Sequence, residues 1–220
     1  MGSKRKFQAE NKKRLILQVA NEVFAEKGFQ AATISQIARK ANIAEGSIYA
    51  YFKNKEDLLF SIPEERMESF LFGLQEHLKG IRGALEKLRK LIWYHLDFYE
   101  RNQDYTRLLL LDLRQNPRFN QSRGYGMIRQ YSKMILQVIE EGKREKSIRR
   151  EVDSYILRDL ILGTIEHFTI RGFIMGRFPN LSAGAEYLHD AIISGVAERN
   201  RMVTLSLDKL MSLQRPKRTN

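Results

Sequence analysis

From Glu10 to Lys27 the apolar residues Leu15, Ile16, Val19, Ala20, Val23 and Phe24 recur three and four apart, with charged residues between them. That spacing puts one apolar stripe on an α-helix. Gly28 follows, suited to the left-handed position beyond a helix end. Thr33-Ile34-Ser35-Gln36 has the form of a capping box, and Ile34, Ile37, Ala38 and Ala41 then make a one-sided stripe in a helix of about two turns. Asn42 tolerates the turn geometry that comes next. A further short helix starts near Ala44 or Glu45 and carries Ile48 and Phe52 inward. Asn54 caps the helix after it, with Glu56 and Asp57 complementing its positive end. Two short helices joined by a tight turn, each with one apolar face, read as a helix-turn-helix.

Beyond residue 55 the pattern stays helical. The spacing predicts helices near 55–79, 82–101, 103–115, 119–146, 152–177 and 182–199, with breaks at Gly80, Asn102, Asn116-Pro117, Ser147 to Glu151 and Phe178-Pro179-Asn180. Pro63 falls inside the first of these and is expected to kink or restart it. The expected fold is all-α: a basic arm (1–9), a three-helix helix-turn-helix domain (10–55), a larger helical domain (56–208), for which ligand-binding and dimerisation roles rest on the family resemblance given below, and a basic tail (209–220).

Composition narrows the function. The 220 residues contain no cysteine, which excludes disulfides and thiolate chemistry and points to a reducing cytoplasm. No apolar run is long enough to span a membrane, and none follows the basic N-terminus as a secretion signal requires. Net charge is +12. The first 60 residues hold 11 basic and 6 acidic side chains, so +5 of it lies there and +7 beyond. A basic chain of this kind suits a polyanion partner, although solubility alone also accounts for charge so widely spread.

The stretch TISQIARKANIAEGSIYAYFKNKEDLL, residues 33–59, resembles the DNA-binding domain of the tetracycline-repressor (TetR) family of bacterial transcription regulators, and Phe24 to Phe29 resembles the end of that family's first helix. Leu113-Arg114-Gln115, Gly142-Lys143 and Ile161 to Glu166 resemble, more weakly, members that control fatty-acid degradation and respond to acyl-CoA. The resemblance implies a homodimer paired through its last two long helices and a double-stranded palindromic operator.

In a helix-turn-helix the second helix leads into the major groove with its N-terminal end. Here that end is Ala44, Glu45, Gly46 and Ser47. Tyr49 and Tyr51 flank it, able to grip phosphates while their rings pack on sugars or thymine methyls; the alternative is that all three rings, Tyr49, Tyr51 and Phe52, are core. Thr33 and Lys55 are expected to hold phosphates on either side, Lys55 at a positive helix end. Lys4-Arg5-Lys6 suits an arm that follows the backbone or enters a minor groove, and Lys12, Lys13 and Arg14 are weaker candidates; a solvated charge run explains each equally well.

In the larger domain Ile156, Leu160, Gly163, Thr164 and Phe168 form one face, and Tyr187, Leu188, Ala191, Ile192 and Val196 another. They suit either dimer pairing or intrachain core. Phe70, Trp93, Leu96, Tyr99, Leu113, Tyr131 and Phe168 are candidates to wall an apolar cavity. Arg114, a cation in an apolar helix, either pairs with a carboxylate such as Glu166 or binds an anion; Arg171 is a second, weaker candidate. His77, His95, His167 and His189 show no metal spacing, and no catalytic motif or cofactor loop is present. The expected function is a dimeric repressor released by a small hydrophobic, acyl-CoA-like effector and not an enzyme. The alternative is a nonspecific or architectural DNA binder.

Overall fold

A computed structural model of the chain describes residues 2–176 and 180–196, with side chains from Lys6 onward. The described residues form nine α-helices and short 3-10 and π segments, with no strand among them. Helix α1 spans Gly2–Ala31. It starts at Gly2, so the expected arm is its first turns, and Lys6 to Asn11 lie exposed. Leu15, assigned to the buried stripe, faces outward, and Leu17 takes the inner position.

Gly28, at φ 75°, breaks the regular helix, and one more turn follows it. Helix α2 (Ile34–Lys40) opens on Thr33. Its hydroxyl accepts from the Gln36 amide at 3.2 Å, while the Gln36 side chain accepts from the Thr33 amide at 3.2 Å. Asn42 takes φ 53° in the turn, and α3 (Glu45–Tyr49) follows. Ile48 and Phe52 are buried in the core and α3 packs on α2, which fixes the face that α3 leaves outward.

Helix α4 (Lys55–Leu78) begins at Asn54, whose side chain accepts from the Asp57 amide at 2.8 Å. It continues through Pro63 as one helix, so the proline does not restart it. The proline ring is buried, and Gly124 of α7 (Arg123–Arg144) lies on it so closely that a Cβ there would sit 3.0 Å from the ring. Tight tertiary packing holds the helix that local propensity would break.

Helix α5 (Ala84–Arg101) follows. Next come α6 (Gln103–Arg107), a π turn (Leu108–Asp112) and a 3-10 turn (Leu113–Gln115), where one helix was expected. Leu108, Leu109 and Leu110 are all buried in the π turn, which packs on α1. Arg114 lies in the 3-10 turn after this change of pitch, with its side chain part-exposed. Helices α8 (Ser154–Ile174) and α9 (Ala185–Val196) complete the domain. Helix α1 packs on α6 and the π turn, so one continuous core joins the two parts of the chain. The break at Phe178-Pro179 and the 209–220 tail lie outside the described residues.

Candidate functional site

The outward surface of α3 carries the expected leading end. Ala44, Glu45 and Gly46 are exposed, and nothing lies within 4 Å of a Cβ built at Gly46. Ser47 is half-buried and its Oγ accepts from Lys12 Nζ at 3.1 Å, so α1 brings a cation to the start of α3. Tyr49 is 55% exposed. Tyr51 is half-buried, its ring 6.4 Å from that of Phe52, so the two tyrosines are not equivalent. Thr33 is exposed and keeps its hydroxyl hydrogen while its oxygen caps α2.

Lys55 corrects an expectation. Its ammonium faces inward, donating to the carbonyls of Phe29 (2.9 Å), Gln30 (3.3 Å) and Ala32 (2.9 Å), over the Phe29 ring at 4.6 Å. These are carbonyls that the end of α1 leaves unpaired. All three ammonium hydrogens are engaged in closing α1 onto α4 and are not presented to a phosphate. Its neighbour Lys53 is exposed, with its backbone amide anchored on Asp57 Oδ2 at 2.8 Å. Reading helix starts alone favoured Lys55; the position of the α1 terminus at Ala31, distant in sequence, decides against it.

The larger domain encloses a cavity between α4, α5, α6, the π turn, α7 and α8. Phe70, Tyr99, Arg114 and Tyr131 line it, as expected. Met67, His95, Phe98, Tyr105, Leu109, Ile128, Leu162 and Glu166 join them. Five expected members do not. Leu96 and Leu113 are wholly buried in core away from the cavity. Trp93 sits half-exposed under Lys90 Nζ, 4.4 Å from its ring. Phe168 packs against Gly184, with the guanidinium of exposed Arg171 5.4 Å from its ring. Apolar periodicity identifies a buried face but not which part of that face borders a void.

Arg114 makes a two-pronged ion pair with Glu166. Burial alone would lower the Arg114 pKa; the Glu166 hydrogen bonds and charge outweigh it and raise it. This pair, with Ile128 and Leu162, borders both the cavity and an outer groove. Asn116, Pro117, Asn120, Tyr125, Arg129 and Ser132 help to line that groove, with Asp159 on its α8 side. Within the cavity Tyr131 Oη and His95 Nδ1 are hydrogen-bonded at 3.1 Å. Desolvation, then the charge of Arg114, pushes the His95 pKa down to about 3, so the imidazole is neutral.

The groove is tied to the DNA-binding end. Glu56, in the first turn of α4, accepts from Arg118 Nη1 at 2.9 Å and Asn116 Nδ2 at 3.2 Å. The hydrogen bonds from Arg118 and then Asn116 lower its pKa. Glu56 adjoins Lys55, and Lys55 holds the end of α1 and the entry to α2. No described helix is long and apolar enough to cross a membrane, and no metal-binding cluster occurs among the described residues.

A helix-turn-helix joined through a shared helix to a cavity-bearing helical domain is the layout of a one-component transcription regulator. The chain belongs to the tetR family of bacterial regulatory proteins: the family's N-terminal region matches residues 16–62, and the C-terminal region of YsiA-like proteins matches 63–195. It is similar to the fatty acid metabolism regulator protein of Bacillus subtilis (strain 168), 29% identical over 181 residues that cover 82% of this chain and 93% of the relative. Among solved structures it is similar to FadR from Bacillus subtilis in complex with stearoyl-CoA, with TM-score 0.78, 30% identity and coverage of 83% and 98%. FadR from Bacillus halodurans is similar too, with TM-score 0.76, 26% identity and coverage of 83% and 94%.

Proposed function

We propose that the chain is a dimeric repressor whose operator binding is released by a CoA thioester. The carrying observation is the cavity that meets a polar groove at the Arg114–Glu166 pair, on the same domain that is tied through Glu56 to the helix-turn-helix. The acyl group enters the cavity and the CoA part lies in the groove. There Arg129 has no ion-pair partner among the described residues, and Arg114 exchanges Glu166 for an anionic or carbonyl oxygen of the effector. FadR of Bacillus subtilis, bound to stearoyl-CoA in its structure, supports the reading.

Pairing of two copies uses the outward face of α8 and α9. Ile156, Leu160 and Gly163 lie exposed one turn apart, with Tyr155, Ile174, Met175 and Tyr187 also exposed nearby in the sequence of these helices. Ile192 and Val196, expected on the same surface, are buried within the chain and support α9 from behind. So much exposed apolar side chain on two helices suits a second copy. Two α3 helices then meet a palindrome about 34 Å apart or a multiple of it.

Filling the cavity displaces the Arg114–Glu166 pair. The displacement passes along Asn116 and Arg118 to Glu56 at the head of α4 and alters the spacing of the two α3 helices. A complete switch needs about 10⁴-fold preference of the effector for the released state, ~5.5 kcal/mol. The test is a gel shift on operator DNA selected from a random library, with stearoyl-CoA, free CoA and stearate added separately. Release by the thioester alone supports the reading. Equal competition by unrelated DNA identifies a nonspecific binder instead.

A further inference from the structure

The cavity beneath the Arg114–Glu166 pair is built unlike a slot for a long flexible chain. The space in it open to a water-sized molecule is only about 40 Å³, well below the ~300–1,000 Å³ common to small-molecule pockets, so it admits a compact group and only as its walls give way. Half of its lining side chains carry rings: Phe70, His95, Phe98, Tyr99, Tyr105 and Tyr131. They brace one another edge to face. Phe70 meets Phe98 at 4.9 Å and 75°, and Tyr131 at 4.8 Å and 85°; His95 meets Tyr99 at 4.3 Å and 78°. Such a box presents fixed ring edges and faces, which match another ring better than a polymethylene chain. Aliphatic and thioether walls, which adapt to a chain, are the minority here.

The box is also not purely apolar. Tyr131 and His95 are hydrogen-bonded to each other at 3.1 Å, and Tyr105 ends in a buried hydroxyl with no partner among the described residues. A buried donor without an acceptor is unfavourable, and a ligand oxygen removes the deficit. Tyr105 also borders the crevice in which Asn21 and Glu22 of α1 meet Arg66 of α4. An oxygen bound at Tyr105 therefore sits one side chain away from the DNA-binding end.

We infer that the effector's acyl group is compact and ring-bearing, with an oxygen substituent at its buried end that accepts from the Tyr105 hydroxyl. This rests on the CoA-thioester reading above. The probes are 4-hydroxyphenylacetyl-CoA, phenylacetyl-CoA, stearoyl-CoA and free CoA, titrated calorimetrically into the full-length protein. Both ring-bearing thioesters are expected to bind at least about tenfold more tightly than stearoyl-CoA. The hydroxylated one is expected to exceed its parent by roughly tenfold, the worth of one neutral hydrogen bond.

Tyr105→Phe loses no intramolecular hydrogen bond and should fold as the wild type does. It is expected to erase the advantage of the hydroxylated probe over phenylacetyl-CoA. Stearoyl-CoA binding as tightly as the ring-bearing probes overturns this inference and leaves the thioester reading standing. Thioesters binding no better than free CoA overturn both. Undiminished discrimination in Tyr105→Phe overturns the role given to that hydroxyl.

Discussion

The helix-turn-helix and the cavity domain are both built only of helices among the described residues, yet they assemble their working surfaces differently. In the first, Thr33 through Lys53 supply the cap, the turn, the buried anchors and the outward side chains from one short run. In the second, the cavity takes Phe70 from α4, His95 from α5, Tyr105 from α6, Tyr131 from α7 and Glu166 from α8. The first is specified locally. The second exists only after five helices pack. Local specification makes a DNA-reading surface robust to what surrounds it, and an assembled cavity makes an effector site sensitive to how those helices sit.

The sharpest way to break the comparison is to remove a local anchor. Phe52→Ala empties a position that is 2% exposed and is expected to destabilise the DNA-binding end by ~3–5 kcal/mol. Chemical denaturation reads the loss. Operator binding should fall with it while the far-off cavity still binds its ligand. Loss of ligand binding to the same extent would mean that the shared core makes the two regions one cooperative unit.

Next in size is the link between the regions. Glu56→Gln removes the charge that Arg118 and Asn116 hold. It should leave operator affinity and effector affinity each within about threefold. The coupling between them is expected to shrink by roughly tenfold, about 1.4 kcal/mol, within the usual range for allosteric coupling. Unchanged coupling would remove the Asn116–Arg118 segment from the path.

Acidity separates the regions on a similar scale. His95 has its pKa depressed from 6.5 to about 3, so below pH 6.5 the unfolded chain takes up a proton that the folded chain refuses. Stability should therefore fall with acidification by up to about 1.4 kcal/mol per pH unit between those values, and be flat above pH 6.5 as far as this group is concerned. His95→Leu should flatten that slope in denaturation curves taken at several pH values. Glu56 acts in the same direction over a lower range: its lowered pKa gives stability that is present above the ordinary carboxylate value of 4.5 and lost as pH falls through the depressed one.

The smallest effect distinguishes two neighbouring lysines. Lys53→Ala should reduce the salt dependence of operator binding by about one unit of slope, the share of one phosphate contact. Lys55→Met should leave the slope alone and lower thermal stability, because its ammonium holds the end of α1. An identical change in slope for both would restore Lys55 to the DNA surface.

What was legible in the sequence follows the same division. The capping box at Thr33, the left-handed Asn42, the Asn54 cap and the burial of Ile48 and Phe52 depend on neighbours a few residues away, and short-range pattern found them. Phe70, Tyr99, Arg114 and Tyr131 were legible as cavity candidates, as was the Arg114–Glu166 pairing. Trp93 and Leu96 were not distinguishable from them, because each lies on an apolar helical face and only the packing of another helix decides which part of the face stays open. His95 and Tyr105 gave no local signal, since a buried imidazole or phenol in a helix reads as core. Pro63 and the π turn escaped for a related reason: Gly124 and the surrounding core override what the local residues favour.

The most direct test of the central claim, that the cavity controls the DNA-reading surface, is fluorescence anisotropy of labelled operator DNA bound to the full-length protein and titrated with a CoA thioester. The wild type should release DNA on adding the thioester and not on adding free CoA, while Arg114→Ala should bind the same DNA and hold it throughout. If a thioester that calorimetry shows to saturate the wild-type protein leaves its operator affinity unchanged, the account is contradicted.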